Sequence, residues 1–136
     1  MKARAVWIEK YRSVLDNGRG HSVVVDLPKN LNGDDTGATA LELAVMALVG
    51  CISTIFKLMA NKTRTDLKCL EVVADAEKSE ETKTIGKVDI EINVVSSDEK
   101  TKVERVWKLT HENCPVGILF EKSGVKINVK LNVNKP

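Results

Sequence analysis

The longest apolar stretch of the chain lies between Leu41 and Met59, where almost every position carries Leu, Ala, Met, Val, Ile or Phe. A run of this length without turn-forming residues is too long for a strand and predicts a helix that is apolar on nearly every side. In a soluble domain, such a helix is expected at the centre, covered by a sheet on one side and by another element on the other.

The start of this helix is marked by Thr39 and Glu42, which have the spacing of a capping box. In that motif the hydroxyl and the carboxylate each accept one of the backbone N–H groups that the first turn leaves unpaired. Three small residues spaced by three, Ala44, Ala47 and Gly50, would let another helix approach closely. A membrane span has a similar length, but the charges of Glu42 and Lys57 and the strand-rich remainder of the chain argue against one.

The polar and apolar positions on both sides of the helix predict strands and two shorter helices. Three strands are expected before the helix and three after it, the last being separated from the others by two helices. The second helix should begin at a Ser97 or Asp98 cap, end near Asn113, and bury Val103, Val106, Trp107 and either Leu109 or Thr110. The predicted strands cover residues 3–8, 12–15, 21–27, 67–77, 84–95 and 125–133, the loop before the long helix covers 29–37, and the third helix covers 116–122. The order predicts one α+β domain spanning residues 1–136.

Composition limits the classes of partner. The 136 residues carry a formal net charge of +2, and the basic residues are spread along the chain, which argues against a nucleic-acid partner. A chain of this length is close to the size at which a second copy helps to bury apolar surface, so a dimer is expected. The N-terminus carries charge every few residues where a signal peptide would be apolar, which makes the cytoplasm the expected compartment.

The candidate chemistry lies in the cysteines, of which there are three: Cys51, Cys69 and Cys114. Their number and spacing fit neither a disulfide scaffold nor a zinc site, so no metal or other cofactor is expected. Cys51 lies within the apolar helix, and Cys114 precedes Pro115 at the start of a new helix, where free N–H groups favour a thiolate. The two are either packing residues or a nucleophile with a resolving partner, whereas Cys69 falls on a strand and is expected to be inert.

Two segments resemble the signature regions of a known family. The sequence ATALELAVMALVGCIST, followed about sixty residues later by HENCPVGILFEK, is similar to the two conserved regions of the OsmC/Ohr family of osmotically inducible and organic hydroperoxide resistance proteins. This resemblance implies the OsmC-like fold, with antiparallel sheets wrapped around a long central helix in an intertwined homodimer. It also implies that Cys51 attacks an organic hydroperoxide, that Cys114 resolves the product as a disulfide, and that a dithiol reductant resets the pair.

The resemblance also implies an arginine and a glutamate in the site. Arg19, in the segment NGRGH, resembles the arginine of the Ohr branch, although another OsmC-like branch carries its arginine in the loop before the long helix, where this chain reads NGDDT over residues 32–36. Glu42 is the match for the glutamate. Nine residues separate Glu42 from Cys51, which on a regular helix places them on opposite sides and about 13 Å apart along the axis. A catalytic Glu42 would therefore act across a dimer or through a distorted helix, and its capping role is the simpler expectation.

Two functions from different classes remain. The first is a cysteine-based peroxidase that reduces organic hydroperoxides without a metal. The second is an OsmC-like protein with weak or no peroxidase activity that senses redox state or binds an apolar ligand. An RNA-associated module is disfavoured because no basic patch or set of exposed aromatic residues is evident. The two histidines, His21 and His111, are expected to serve local hydrogen bonding, and His111 suits the C-terminal dipole of its helix.

Overall fold

The computed structural model describes all residues from Met1 to Pro136. The chain divides into two compact units, Met1–Ala44 and Val45–Pro136. The organisation of residues 1–136 as one domain stays a prediction.

The first unit contains a three-stranded antiparallel sheet in the order β1-β2-β3, formed by Arg4–Glu9, Arg12–Asp16 and Ser22–Val25. The three predicted strands are confirmed, although the third ends at Val25 and not at residue 27. It ends there because the next residue, Asp26, is buried and turns its carboxylate toward the backbone N–H groups of the following loop. A short 3₁₀ turn, Lys29–Leu31, lies within that loop.

Helix α1 runs from Ala40 to Lys62 and begins at the predicted capping box. The backbone N–H of Thr39 donates to Glu42 Oε2 at 2.7 Å, and the backbone N–H of Glu42 donates to Thr39 Oγ1 at 3.2 Å. By length and composition alone, α1 is also long enough and apolar enough to cross a membrane, a property shared by the core helices of soluble proteins.

The second unit contains strands β4 (Cys69–Lys78), β5 (Ile85–Val95) and β6 (Lys126–Asn134), with helices α2 (Lys100–Asn113) and α3 (Pro115–Lys122) between β5 and β6. The prediction that the sheets are antiparallel is wrong for this one, because β4 and β5 are antiparallel whereas β5 and β6 are parallel. The two helices provide the long crossover that a parallel pair requires.

The core of the second unit follows the alternation along β5, where every second residue is buried. Side chains from α1 and α2 are buried as well, and α2 buries Thr110, one of the two alternatives predicted for its apolar stripe. The buried apolar residues on these elements are Leu48, Ile52 and Phe56 on α1, Val88, Ile90, Ile92 and Val94 on β5, and Val103 and Val106 on α2.

The predicted cap of α2 is wrong. The residue before the helix is Glu99, whose side chain forms no capping hydrogen bond. Asp98 instead accepts the backbone N–H of Asp66 at 2.6 Å, and the hydroxyl of Ser97 donates to the Asp66 carboxylate. Both polar side chains therefore bind Asp66 in the segment between α1 and β4. The local sequence around α2 could not indicate this tertiary contact.

The expectation that α1 is covered on more than one side is not met within this chain. One face of the helix is buried, but the other is exposed and combines small and apolar residues: Met46, Ala47, Gly50, Thr54 and Leu58. We call these five residues the open face of α1. An exposed apolar face of this kind is typical of an interaction surface.

Candidate functional site

The two cysteines singled out from the sequence lie together in the second unit. Cys51 is on α1, Cys114 is at the junction between α2 and α3, and Cys51 is near enough to add to the rise in the pKa of Cys114. Both are free thiols; Cys51 is half-buried, and Cys114 is 2% exposed. The fold therefore places near each other two thiols that are more than sixty residues apart in the sequence.

The backbone around Cys114 positions its sulfur at the start of α3. Pro115 occupies the first turn of α3 and holds Cys114 in an extended conformation, which ends α2. The sulfur accepts the backbone N–H of Gly117 at 3.4 Å and so serves as the cap of the helix. Gly117 matters for this approach, since a Cβ there would lie 3.3 Å from the sulfur.

The electrostatics of Cys114 differ from the sequence expectation. Burial is the largest effect and raises the pKa of the Cys114 thiol from 9.0 to about 11, while the Gly117 N–H works in the opposite direction and the nearby Cys51 adds to the rise. The expected stabilisation of a thiolate by the helix start is thus present but is outweighed by desolvation. Cys114 is therefore a neutral thiol at physiological pH, which suits a resolving residue better than the first nucleophile.

A small cavity of about 20 Å³ lies next to Cys114. The elements α1, β5 and β6 contribute apolar lining residues, namely Leu48, Ile52, Ile90, Ile127 and Val129. Trp107 and His111 from α2 and Glu121 from α3 also line it. Sequence reasoning assigned His111 to local hydrogen bonding and the helix dipole and did not single out Glu121, because the sequence shows the break at Pro115 but not which side chains of α2 and α3 then meet.

The other two predicted site residues, Arg19 and Glu42, lie in the first unit. Arg19 is exposed in the turn after β2, where its backbone N–H donates to Asn17 Oδ1 at 2.9 Å. Glu42 is exposed and bound to the backbone N–H of Thr39, a contact that lowers the pKa of its carboxyl below the usual value of 4.5. The capping role of Glu42 is confirmed, and the catalytic roles of Arg19 and Glu42 stay predictions.

A further arginine, which the sequence did not single out, binds the loop before α1. The guanidinium of Arg12 donates to Thr36 Oγ1 at 2.8 Å and to Asp34 Oδ2 at 3.3 Å, and lies 4.0 Å from Asp26 Oδ2. The β2–β3 register explains this placement, since Ser13 pairs with Val25 and so brings Arg12 opposite Asp26. The loop itself, residues 29–37, contains no arginine, and Arg12 reaches it from a neighbouring strand.

Comparison with known families identifies the relatives of the chain. The profile of the family described as OsmC-like protein matches residues 33–130, which is most of the sequence. This chain belongs to the OsmC-like family. The match includes Cys51, Cys114 and Glu42 but not Arg19. No curated protein sequence matches the chain.

Solved structures show that this OsmC-like protein has the fold of its family. It is similar to an OsmC-like protein from Mycoplasma pneumoniae, with a TM-score of 0.87 and 17% identity over 97% of this chain and 95% of the other. It also resembles an organic hydroperoxide resistance protein from Elizabethkingia anophelis, with a TM-score of 0.72 and 19% identity over 98% and 94% of the chains. A third is an organic hydroperoxide resistance protein from Legionella pneumophila, with a TM-score of 0.68 and 16% identity over 98% and 95%.

These TM-scores show the α+β OsmC fold, whereas identities below 20% carry no activity over to this chain. The cysteine pair of this OsmC-like protein consists of one half-buried thiol near one buried thiol.

Proposed function

We propose that this protein is a thiol-dependent peroxidase that reduces organic hydroperoxides. The observation that carries the proposal is that Cys51 lies near enough to Cys114 to raise the pKa of the Cys114 thiol, although the two residues come from distant parts of the chain. Structural relatives named as organic hydroperoxide resistance proteins support the choice of substrate class.

The reaction begins at Cys51. Its thiolate attacks the terminal oxygen of the hydroperoxide, the O–O bond breaks, and the alkoxide takes up a proton and leaves as the alcohol. Cys51 becomes a sulfenic acid, having lost two electrons. The apolar side chains of Leu48 and Ile52 next to it on α1 favour an organic group over the small, polar hydrogen peroxide.

Cys114 completes the cycle. Its sulfur attacks the sulfenic sulfur of Cys51, the S–O bond breaks, and the hydroxide leaves as water with the proton that Cys114 has lost. A dithiol reductant then attacks the resulting disulfide and returns both residues to thiols by exchange. We propose that this reductant belongs to the thiol pool of a reducing compartment, the cytoplasm.

The test is a single-turnover reaction on the Cys69→Ser variant, which removes the exposed third thiol. One equivalent of cumene hydroperoxide is expected to consume two thiols and to release one equivalent of alcohol. Adding Cys51→Ser should abolish the reaction, and adding Cys114→Ser should stop it at the sulfenic acid, detected by dimedone labelling and mass spectrometry. Survival of both thiols in excess peroxide would contradict the proposal.

One observation favours the second function, a redox sensor with weak turnover. The loop before α1 carries Asp34 and Asp35 where a related branch has an arginine. A sensor would form the same disulfide but would turn over slowly in steady state with dithiothreitol as the dithiol. The apolar-ligand version of this alternative would place the ligand at the dimer interface, because the cavity of about 20 Å³ beside Cys114 has room for about one water molecule.

We also propose that two copies associate as a homodimer. The open face of α1 exposes Met46 and Leu58 beside the small residues Ala47 and Gly50, so a second helix can approach it closely. In the first unit, strand β1 is exposed along its whole length and includes Trp7. Apolar surfaces of this kind on a chain of this size are explained by a partner of the same sequence.

A further inference from the structure

The resolving step of the proposed reaction requires Cys114 to lose its thiol proton to a base. Because burial raises the pKa of the Cys114 thiol to about 11, only roughly one molecule in ten thousand carries the thiolate at pH 7. The thiolate is the form that attacks sulfur, so disulfide formation needs a group that removes this proton.

Two side chains beside Cys114 have the chemistry for this. His111, in the last turn of α2, and Glu121, on α3, line the same small cavity as the Cys114 sulfur. His111 Nε2 lies 3.5 Å from Glu121 Oε1. This is the arrangement in which a carboxylate orients an imidazole and stabilises its protonated form.

Trp107, one turn earlier on α2, is the aromatic neighbour of His111, whose side chain is 54% exposed. The Trp107 ring lies 5.8 Å from the imidazole, centroid to centroid, at 41°. From the sheet and α1, the cavity receives only apolar side chains, so its titratable lining groups are His111, Cys114 and Glu121, with Cys51 next to Cys114. Within this cavity His111 and Glu121 can accept the Cys114 proton, and a neutral imidazole is the commoner general base near neutral pH.

We propose that His111, positioned by Glu121, is the general base for Cys114 in disulfide formation, an inference that rests on the proposed two-cysteine chemistry. The imidazole takes the Cys114 proton as the sulfur attacks Cys51, the S–S bond forms and the Cys51 S–O bond breaks. The imidazolium then gives that proton to the departing hydroxide, which leaves as water, so that His111 ends the step neutral.

The step can be measured without peroxide, by using 5,5′-dithiobis(2-nitrobenzoate) on the Cys69→Ser protein. Cys51 first forms a mixed disulfide and releases one thionitrobenzoate; Cys114 then attacks Cys51 and releases the second as an anion, so His111 acts only as the base. The second phase should not depend on reagent concentration, and it should disappear with Cys114→Ser.

The expected result is a second phase whose pH profile has an inflection that depends on the His111 side chain. His111→Gln should slow this phase by about 100-fold at pH 7, the scale of general-base catalysis, and replace the inflection with a rate that keeps rising toward high pH. Glu121→Gln should slow it less. Added imidazole should partly restore the phase in His111→Ala, because the position is exposed to solvent.

His21→Gln, at the other histidine, is the matched control and should leave the second phase unchanged. The inference is overturned if His111→Gln keeps the rate and pH profile of the parent protein, or if imidazole leaves His111→Ala unaffected although its circular dichroism is native. The first-step test with cumene hydroperoxide is independent: if it fails while the second phase depends on His111, the peroxidase proposal falls and the role of His111 stands.

Discussion

The sulfur of Cys114 accepts the backbone N–H of Gly117 while it lies beside Cys51, so one buried atom both caps helix α3 and faces the proposed reactive thiol. This double role ties the position of the resolving sulfur to the formation of α3. The burial of this sulfur and the exposure of Cys69 predict how the thiols differ in reactivity.

Alkylation of the reduced protein with iodoacetamide at pH 7 should modify Cys69 first and Cys114 last. Cys69 is exposed, whereas Cys114 is buried and the pKa of its thiol is raised to about 11. Peptide mass spectrometry over time measures the three rates, and the rate at Cys114 should continue to increase above pH 9. Equal rates at Cys69 and Cys114 in the folded protein, with unfolding in urea as the reference for full reactivity, would contradict the assigned burial.

Asp26→Asn should destabilise the first unit, because this buried carboxylate accepts the N–H groups of Leu27, Asp34 and Thr36 and the hydroxyl of Thr36. The Thr36 hydroxyl and these N–H groups lower the pKa of Asp26 below 3.8, so its contribution is complete above that value and is lost as the pH falls through the lower folded value. Urea unfolding at pH 7 and pH 3 measures both effects.

The matched control for Asp26 is Asp35→Asn in the same loop, which removes a charge from an exposed position. It should leave the unfolding midpoint at pH 7 within error. A similar shift for both variants would mean that the loss of charge, and not the hydrogen bonds of Asp26, determines the result.

Thr39→Ala should lower the free energy of unfolding by about 1 kcal/mol, the usual cost of removing a helix cap. Glu42→Ala should also destabilise the protein, since Thr39 loses its acceptor; the pKa of Glu42 is lowered by that contact, so this contribution is lost as the pH falls below about 4.5. Thermal unfolding followed by circular dichroism measures both.

The single-turnover rate with cumene hydroperoxide separates the two roles of Glu42. If capping is its whole function, Thr39→Ala and Glu42→Ala should both oxidise Cys51 at the rate of the parent protein, at a temperature where both variants are folded. A rate that falls only with Glu42→Ala would give Glu42 the catalytic role that the family resemblance implies.

Met46→Gln should weaken the proposed homodimer, because Met46 is 55% exposed on the open face of α1. Val73→Gln is the matched control: Val73 is 49% exposed, but it lies among the charged residues on the outer face of the second sheet. Sedimentation equilibrium should show a dimer for the parent and for Val73→Gln, and a larger dissociation constant for Met46→Gln. A monomeric parent at micromolar concentration would remove the dimer from the proposal.

The sequence alone determined the parts of this protein that depend on local chemistry. The apolar run ending at Met59 and the Thr39–Glu42 box located α1, since cap spacing and turn-free apolar length are properties of neighbouring residues. The strands, the break at Pro115 and the two cysteines of interest were also visible, and the resemblance of their segments indicated the family that the profile match shows.

Tertiary structure decided everything that depends on which distant residues meet. The parallel pairing of β5 and β6, the use of Ser97 and Asp98 to hold Asp66, and the reach of Arg12 into the loop before α1 follow from register and chain crossover, which leave no local signal. The same holds for the raised pKa of Cys114, because desolvation is set by packing around the sulfur, and for the pairing of His111 with Glu121 beside it.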